Sequence, residues 1–331
     1  MLPPAARDAA RDQKKMLATD RNQSHSDSRL TLSPAPVVSI GLPVYNGERY
    51  LAKTLDALLA QSFRDFEIVI SDNASTDATP RICRDAALRD PRIRYHRQST
   101  NLGAAANYNH VFALARGRYF RWNAADDFVA PHALGHCVEF LRAHPEFVLA
   151  YPQTKIIDAE GRELEDYDDG LDLRDPSVTH RIDVVLQRTK ECNAVFGLID
   201  AERLRQTQLI GRFVGSDHIL LFELALRGPF AELPGSWFYR RTHEAASSAD
   251  KSAERQREFY DPRNEDAEFL KSCHERTRRH FREAFAAVRR TRLPFFTRLR
   301  CLWTVFRIGI ASRRHMIEEF RRARLASGST R

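Results

Sequence analysis

Asp126 and Asp127 stand side by side just after a short apolar run at residues 118–122, and no other pair in the sequence is better suited to chemistry. Adjacent carboxylates repel, and a solvated turn is served as well by Asn or Ser. A divalent cation supplies a reason for the pair, because Mg²⁺ or Mn²⁺ takes carboxylate oxygens and keeps coordination sites open for a diphosphate. Asp217 falls in the first turn of an evident helix at residues 215–227, where an acid either complements the helix dipole or has a functional role. Polar groups also gather after earlier apolar runs: Pro43, Tyr45, Asn46 and Glu48, then Asp72, Asn73, Ser75 and Asp77, then Asn101 and Gly103. Taken singly, Asn46, Asp77 and Asn101 sit where a helix N-cap is wanted. Arg240 and Arg241 end a later strand-like run, and a guanidinium matches phosphate oxygens two at a time, so either could offset diphosphate charge.

The elements that must position these groups alternate. Short apolar stretches at 37–44, 66–70, 93–96, 118–122 and 147–151 are separated by helical stretches at 50–59, 80–88, 104–115 and 133–144. That alternation predicts an α/β architecture, a mostly parallel sheet flanked by helices on both faces. Ligands bind such sheets beyond the carboxyl ends of the strands, where the acidic and amide groups above are found.

A chain of 331 residues that is 43% hydrophobic can bury a large core, which excludes disorder throughout. Residues 1–36 are polar and without period, and read as a disordered leader. No run approaches the roughly 18 uncharged apolar residues of a spanning helix, and the start lacks the apolar stretch of a signal peptide, so the expected location is cytoplasmic. Five widely separated cysteines carry no paired metal spacing and read as reduced, structural thiols. The net charge of +8 is uneven: residues 271–331 carry seventeen Lys and Arg against four Asp and Glu, net +13, which leaves −5 for the rest. A mildly acidic body argues against a nucleic-acid partner. Within the basic tail, Phe295, Leu299, Leu302, Trp303, Phe306 and Ile310 recur at helical spacing, with Arg300, Thr304, Arg307 and Arg314 on another side. Such a helix suits either an anionic membrane surface, which would make the protein peripheral on the inner face, or packing against the main body.

Residues 38–46 (Val-Ser-Ile-Gly-Leu-Pro-Val-Tyr-Asn), 67–77 (Glu-Ile-Val-Ile-Ser-Asp-Asn-Ala-Ser-Thr-Asp), 101–103 (Asn-Leu-Gly) and 125–127 (Ala-Asp-Asp) together resemble the family 2 glycosyltransferases of the GT-A fold, Rossmann-like in their sheet. The resemblance implies a nucleotide-sugar-binding half at 37–151, an acceptor-binding half at 152–250 and a basic helical extension at 251–331. It assigns Pro43, Tyr45, Glu48 and Asp72 to the nucleobase, and Asp126 and Asp127 to a DXD-like motif, with Asp126 near the ribose and Asp127 on the metal. Asn73 and Ala125 stand where many members carry further acids. His243 resembles a third metal ligand of some members. Asp217 takes the place of the catalytic base, with Glu191 and Glu223 next in order, whereas His218 has no matching role.

The implied activity is inverting transfer of a sugar from a nucleotide-diphosphate donor, by family frequency a UDP-sugar. The acceptor would be a sugar or lipid-linked hydroxyl, in polysaccharide or lipid-linked glycan synthesis. A sugar-1-phosphate nucleotidyltransferase would instead show a Gly-rich basic loop after the first strand, and residues 42–46 are not one. The remaining alternative is a non-catalytic basic module that binds membranes.

Overall fold

In the computed structural model, which describes residues 35–244, 246, 252–260, 262 and 276–313, the alternation becomes a nine-stranded sheet. Strand β1 (Val38–Val44) is buried along its whole length, as a central strand covered on both faces must be. It pairs in parallel with β2 (Phe66–Asp72) on one side and with β4 (Tyr119–Trp122) on the other, and β3 (Ile93–Arg97) extends the parallel edge beyond β2. The crossover helices are α1 (Leu51–Leu59), α2 (Thr79–Arg89) and α3 (Ala104–Ala113). Gly41 permits the close approach of the covering layer, since a Cβ there would meet Phe120 Cζ at 2.6 Å and Val111 Cγ2 at 2.7 Å. Pro43 lies past the last β1–β4 pair, Gly41 with Trp122, so its missing N–H takes nothing from that ladder.

The chain lays down β1, β2 and β3 towards one edge and then returns to β4 on the far side of β1. This reversal opens a crevice at the carboxyl ends of β1 and β4. Alternate residues along the strands point to opposite faces: Ile68 and Ile70 join one apolar cluster with Ile40 and Leu55, while Val69 joins another with Trp122 and Phe222.

The second half is mixed in direction. It comprises β5 (Phe128–Val129), α4 (Ala133–Ala143), β6 (Leu149–Ile157), β7 (Glu163–Tyr167), α5 (Val178–Arg188), β8 (Leu198–Asp200), α6 (Ala201–Arg205), α7 (Ser216–Ala225) and β9 (Phe230–Arg241). The three-residue β8 sits between β4 and β6 and runs antiparallel to both, whereas β9 is parallel to β6 and antiparallel to β5. One sheet therefore runs through both expected halves, and residue 151 falls inside β6. β7, which lies in the charged stretch after β6, pairs with β6 as an exposed hairpin arm.

Three further helices follow, α8 (Ala253–Tyr260), α9 (Arg276–Arg290) and α10 (Phe295–Ala311). α10 packs against α5 and α9, but it does so through Cys301, Thr304, Val305 and Ile308. Of the apolar stripe read in the sequence, only Leu302 reaches the core; Phe295, Leu299, Trp303, Phe306 and Ile310 are exposed. Thr304, read as part of the polar side, is buried because its hydroxyl is satisfied by the Arg300 carbonyl at 3.0 Å. The expected leader, apart from Ala35 and Pro36, lies outside the described residues, as do Cys273 and Arg314. The four described cysteines are unbridged.

At the end of the sheet away from the crevice, Glu67 is buried and is the acceptor for four donor groups. It accepts from Ser39 Oγ at 2.6 Å, the Arg116 N–H at 2.9 Å, the Arg116 guanidinium at 2.8 and 3.0 Å, and Arg94 Nη1 at 2.9 Å. Burial alone would raise its pKa, but the bonds from Ser39, Arg116 and Arg94 outweigh it and hold the carboxyl below its usual value. A carboxyl depressed in the folded state contributes fully above its unfolded pKa and loses that contribution as pH falls through the folded one. Glu67→Gln should therefore cost about 1.5–3 kcal/mol at neutral pH, as for hydrogen bonds to a charged group. Urea unfolding at a series of pH values should show the gap to the parent narrowing below the ordinary glutamate value of about 4.3. A gap that stays constant into acid would mean that the charge is not what Glu67 contributes.

Candidate active site

The loops beyond β1 and β2 lie side by side and satisfy each other's backbone groups. Asn46 N–H donates to Ser75 Oγ at 2.9 Å, Gly47 N–H to Thr79 Oγ1 at 2.8 Å and Glu48 N–H to Asp77 Oδ2 at 3.0 Å. In return Thr76 N–H donates to Asn46 Oδ1 at 2.9 Å and Ala78 N–H to Glu48 Oε2 at 2.8 Å. Asn46 adopts the left-handed region, φ 50°, which Asn tolerates better than most residues. Asn46 and Asn101 thus do not cap helices: the N-cap residue is Tyr50 for α1 and Gly103 for α3, neither with a side-chain cap bond. Asp77 does serve a helix start, its Oδ1 accepting the Thr79 N–H at 2.9 Å.

Asn73 extends the clamp to the third loop. Its Nδ2 donates to Asn101 Oδ1 at 2.7 Å and its Oδ1 accepts the Leu102 N–H at 2.8 Å, while Asn101 Oδ1 also takes the Gly103 N–H at 2.9 Å. Asp72, expected at a nucleobase, is completely buried. Its Oδ1 accepts the Ser75 N–H and its Oδ2 accepts from Tyr95 Oη at 2.8 Å, with Arg97 Nε at 3.3 Å. Asp72 therefore braces the loop from within, and a direct base contact would first require it to give up these partners. Glu48 and Tyr45 are exposed beside it, and Pro43 is buried in β1.

The turn after β4 carries the acidic pair. Asn123 Nδ2 donates to the Ala124 carbonyl at 2.7 Å and the Asp127 carbonyl at 3.1 Å, and Thr54 Oγ1 of α1 holds the Ala125 carbonyl at 2.9 Å. Arg121, buried beneath, reaches Asn123 Oδ1 at 3.2 Å, and its pKa is lowered to about 10 by burial. Asp127 is buried with its Oδ1 on the Arg241 N–H at 2.8 Å. Burial first, and the neighbouring Asp126 second, push its carboxyl well above the usual range. Asp126 is more open, and its Oδ2 lies 2.9 Å from His243 Nε2. His243 thus lies against Asp126, while Asp127, the acid expected to share a metal with it, is bonded to the Arg241 N–H.

A carboxylate oxygen beside an imidazole nitrogen fits a divalent cation such as Mn²⁺, and a cation would also relieve the repulsion that raises Asp127. The buried Nδ1 of His243 has no hydrogen-bond partner among the described residues, whereas Nε2 bonds to a carboxylate oxygen only in its N–H form, so a cation taken at Nε2 would require the ring proton to move to Nδ1. Arg241 stacks its guanidinium 4.6 Å from the Tyr50 ring and donates to the carbonyls of Asp126, Asp158 and Ala159. Its charge is committed to holding the turn, which makes it a poor candidate for a diphosphate. Arg240 is paired with Glu191 at 2.8 Å.

A cavity of about 290 Å³ brings Asp126, Asp127, Asp217, Glu191, Arg240 and Arg241 together. Pro43, Tyr45, Glu48 and Asp72 are not among its lining residues. Asp217 follows Gly215, whose φ of 83° turns the chain into α7. Beside it the Cys192 thiol, hydrogen-bonded to Asp217, is raised by burial first and by Asp217 second. Cys192, Asp217 and His218 are the one trio of such ligands among the described residues with all ligand atoms within 4.8 Å. Glu223 is excluded as a base, being buried and occupied by Arg290 Nη2 at 2.7 Å and by the Gln208 N–H.

Several lining residues carried no sequence signal. Tyr108 faces the cavity from α3, and burial first, then Asp126, Asp127, Tyr260 and Asp217, raise its phenol, which stays a proton donor. Gln256, Phe259 and Tyr260 form a wall from α8, and Lys190 and Arg276 add positive charge. α8 lies so close that a Cβ on Gly103 would meet the Tyr260 carbonyl oxygen at 2.4 Å.

Comparisons with known proteins agree on the kind of protein this is. Residues 39–193 match the family model described as glycosyl transferase family 2. The sequence is 34% identical over 131 residues to chondroitin synthase of Escherichia coli, covering 40% of this chain and 19% of that one. The chain matches less than half of the length of its first curated relatives. Among solved structures, TarS 1-349 of S. aureus in complex with UDP-GlcNAc superposes with a TM-score of 0.52 at 18% identity, over 84% of this chain and 91% of that one. Mannosyltransferase PcManGT from Pyrobaculum calidifontis, in complex with GDP-Man and Mn²⁺, gives 0.52 at 16% identity, over 99% and 86%. At these identities the structural likeness shows the fold, a mixed α/β arrangement of the GT-A kind.

The clamp around Asn73 generates a test of its own. Aspartate supplies no donor for Asn101 Oδ1, and Asn101 cannot turn its amide round without giving up the Gly103 N–H. Asn73→Asp should destabilise the protein by about 1–3 kcal/mol in urea unfolding, the cost of leaving buried acceptors facing each other. Equal stability would show that the three loops are not held through this residue.

Proposed function

We propose that the chain, whose residues 39–193 match the model of glycosyl transferase family 2, transfers a sugar from a nucleotide-diphosphate donor to a hydroxyl acceptor. The observation that carries this reading is the gathering of Asp126, Asp127 and Asp217 around one cavity by elements some ninety residues apart in sequence. The donor expected from the family resemblance is a UDP-sugar; the UDP-GlcNAc and GDP-Man complexes of the similar structures support the nucleotide-diphosphate class. The acceptor is a hydroxyl on a growing polysaccharide or a lipid-linked glycan, a class supported by the likeness to a chondroitin synthase.

Asp126 and His243 are the residues that would hold Mn²⁺ or Mg²⁺, with Asp127 adding charge from behind. The cation, when bound, stabilises negative charge growing on the departing diphosphate. Asp217 receives the proton of the acceptor hydroxyl as that oxygen bonds to the anomeric carbon and the bond to the diphosphate breaks on the opposite side, which inverts the configuration. Arg240 can turn from Glu191 to the diphosphate, and Tyr108 offers a hydroxyl donor within the cavity. α8 shields the cavity from water, which would otherwise compete with the acceptor.

Thermal unfolding with UDP, GDP, dTDP and CMP, each with and without Mn²⁺, names the donor. One nucleoside diphosphate should stabilise the protein only when Mn²⁺ is present, by about 2.7 kcal/mol at a hundredfold excess over its dissociation constant. Asp126→Ala and His243→Ala should each lose this stabilisation while folding as the parent does. A shift that survives both substitutions refutes the assigned metal site.

Asp217→Asn keeps size but cannot take the proton. Transfer should fall by on the order of 10² to 10⁴, the usual contribution of a general base, with nucleotide affinity unchanged. If turnover stays within about threefold, below that range, Asp217 only serves the helix start and Glu191 is the base to examine.

A further inference from the structure

Six of the nine exposed large hydrophobic side chains among the described residues lie on α10: Phe295, Phe296, Leu299, Trp303, Phe306 and Ile310. From Phe296 onward their spacing of three and four residues puts them along one side of the helix, with Phe295 at its start. The opposite side is already occupied, with Cys301, Val305 and Ile308 buried against α5 and α9, so among the described residues nothing packs over the exposed side. Phe296 is 78% and Trp303 63% exposed, values a monomer in water has little reason to maintain so close together on one element.

The charges around this strip have one sign. α10 contains no acidic residue, and Arg300 and Arg307 are exposed one position beyond Leu299 and Phe306, at the edge of the apolar side. Arg307 is partly spent on Asp183, whereas Arg300 makes no ion pair with any described residue. The segment 271–331 as a whole carries +13. No helix of the described residues is long and apolar enough to cross a membrane.

We propose that α10 docks the protein on an anionic lipid bilayer, lying in the interfacial plane with its aromatic and aliphatic side chains in the acyl boundary and its arginines on lipid phosphates. Aromatic rings suit that depth because they combine apolar bulk with tolerance of the polar headgroup layer. Guanidinium groups at the rim pair with phosphate oxygens. The inference does not depend on the transfer reaction, because the strip is on α10 and the cavity lining does not include it.

The test uses the full chain, sedimented with vesicles of equal parts phosphatidylglycerol and phosphatidylcholine, and with vesicles of phosphatidylcholine alone. The parent should bind the anionic vesicles, less so as salt is raised. The double variant Phe296→Ser with Trp303→Ser should partition at least about tenfold more weakly, about 1.4 kcal/mol. Arg300→Gln should weaken binding to the anionic vesicles and leave binding to the neutral ones unaltered. Because all three side chains are exposed, the unfolding temperature should stay at the parent value, which separates lost docking from lost folding. Equal vesicle binding by the double variant and the parent overturns the proposal. So does a concentration-dependent dimer that the double variant abolishes in the absence of vesicle binding, since the occupant would then be a second copy of the chain. Equal binding to neutral and anionic vesicles overturns the electrostatic half.

Discussion

Strands that stop at a crevice leave backbone N–H groups with no ladder to donate to, and a buried donor without an acceptor costs as much as a lost hydrogen bond. The loops beyond β1, β2 and β3 meet this demand with one another's side chains. Asn46, Glu48, Ser75, Asp77 and Thr79 exchange bonds across the first two loops, and Asn73 with Asn101 carries the exchange to the third. Residues that look like an array of ligand contacts in the sequence are in large part the means by which the crevice keeps its shape before any ligand arrives. Asp72 shows the same economy, placing a buried carboxylate where the Ser75 amide, the Tyr95 hydroxyl and the Arg97 guanidinium converge.

The acidic turn is built on a different balance. Asn123 and Thr54 hold its carbonyls, Arg241 closes over it with a backbone N–H and a guanidinium, and Arg121 sits buried below. Two carboxylates are thereby presented in unlike settings, Asp127 shielded and Asp126 open beside His243. That asymmetry gives two adjacent acids different surroundings, one committed to the Arg241 N–H and the other open to the cavity.

Much of this was legible in the sequence because the parallel half of the fold follows from a short-range pattern. Apolar runs such as 37–44 and 66–70 alternate with helical stretches, so their order and the position of Asp126 and Asp127 at a strand end could be read directly. The helix carrying Asp217 was also evident from its periodicity. β8 was not, since three residues wedged antiparallel between β4 and β6 have no period of their own. Asn46 and Asn101 stand at the right offset for capping, and only the neighbouring loops decide that they clamp instead. The contribution of α8 to the cavity wall depends on a contact between Gly103 and Tyr260, far apart in sequence. On α10 the periodicity was read correctly, but which side would be covered depended on the small residues Cys301 and Thr304 fitting against α5 and α9, which no hydropathy pattern encodes.

The placement of β8 has a bearing on how such proteins can diversify. A strand inserted between β4 and β6 hydrogen-bonds both, and β6 in turn carries β9, so the two expected halves of the sheet are not separable cassettes. An exchange of sequence with a relative at residue 151 would cut β6 and leave the remaining ladder to be completed by a foreign register. Recombination that preserves the sheet must carry β6, β8 and β9 across together, which favours change by substitution within the connecting loops over wholesale replacement of that half.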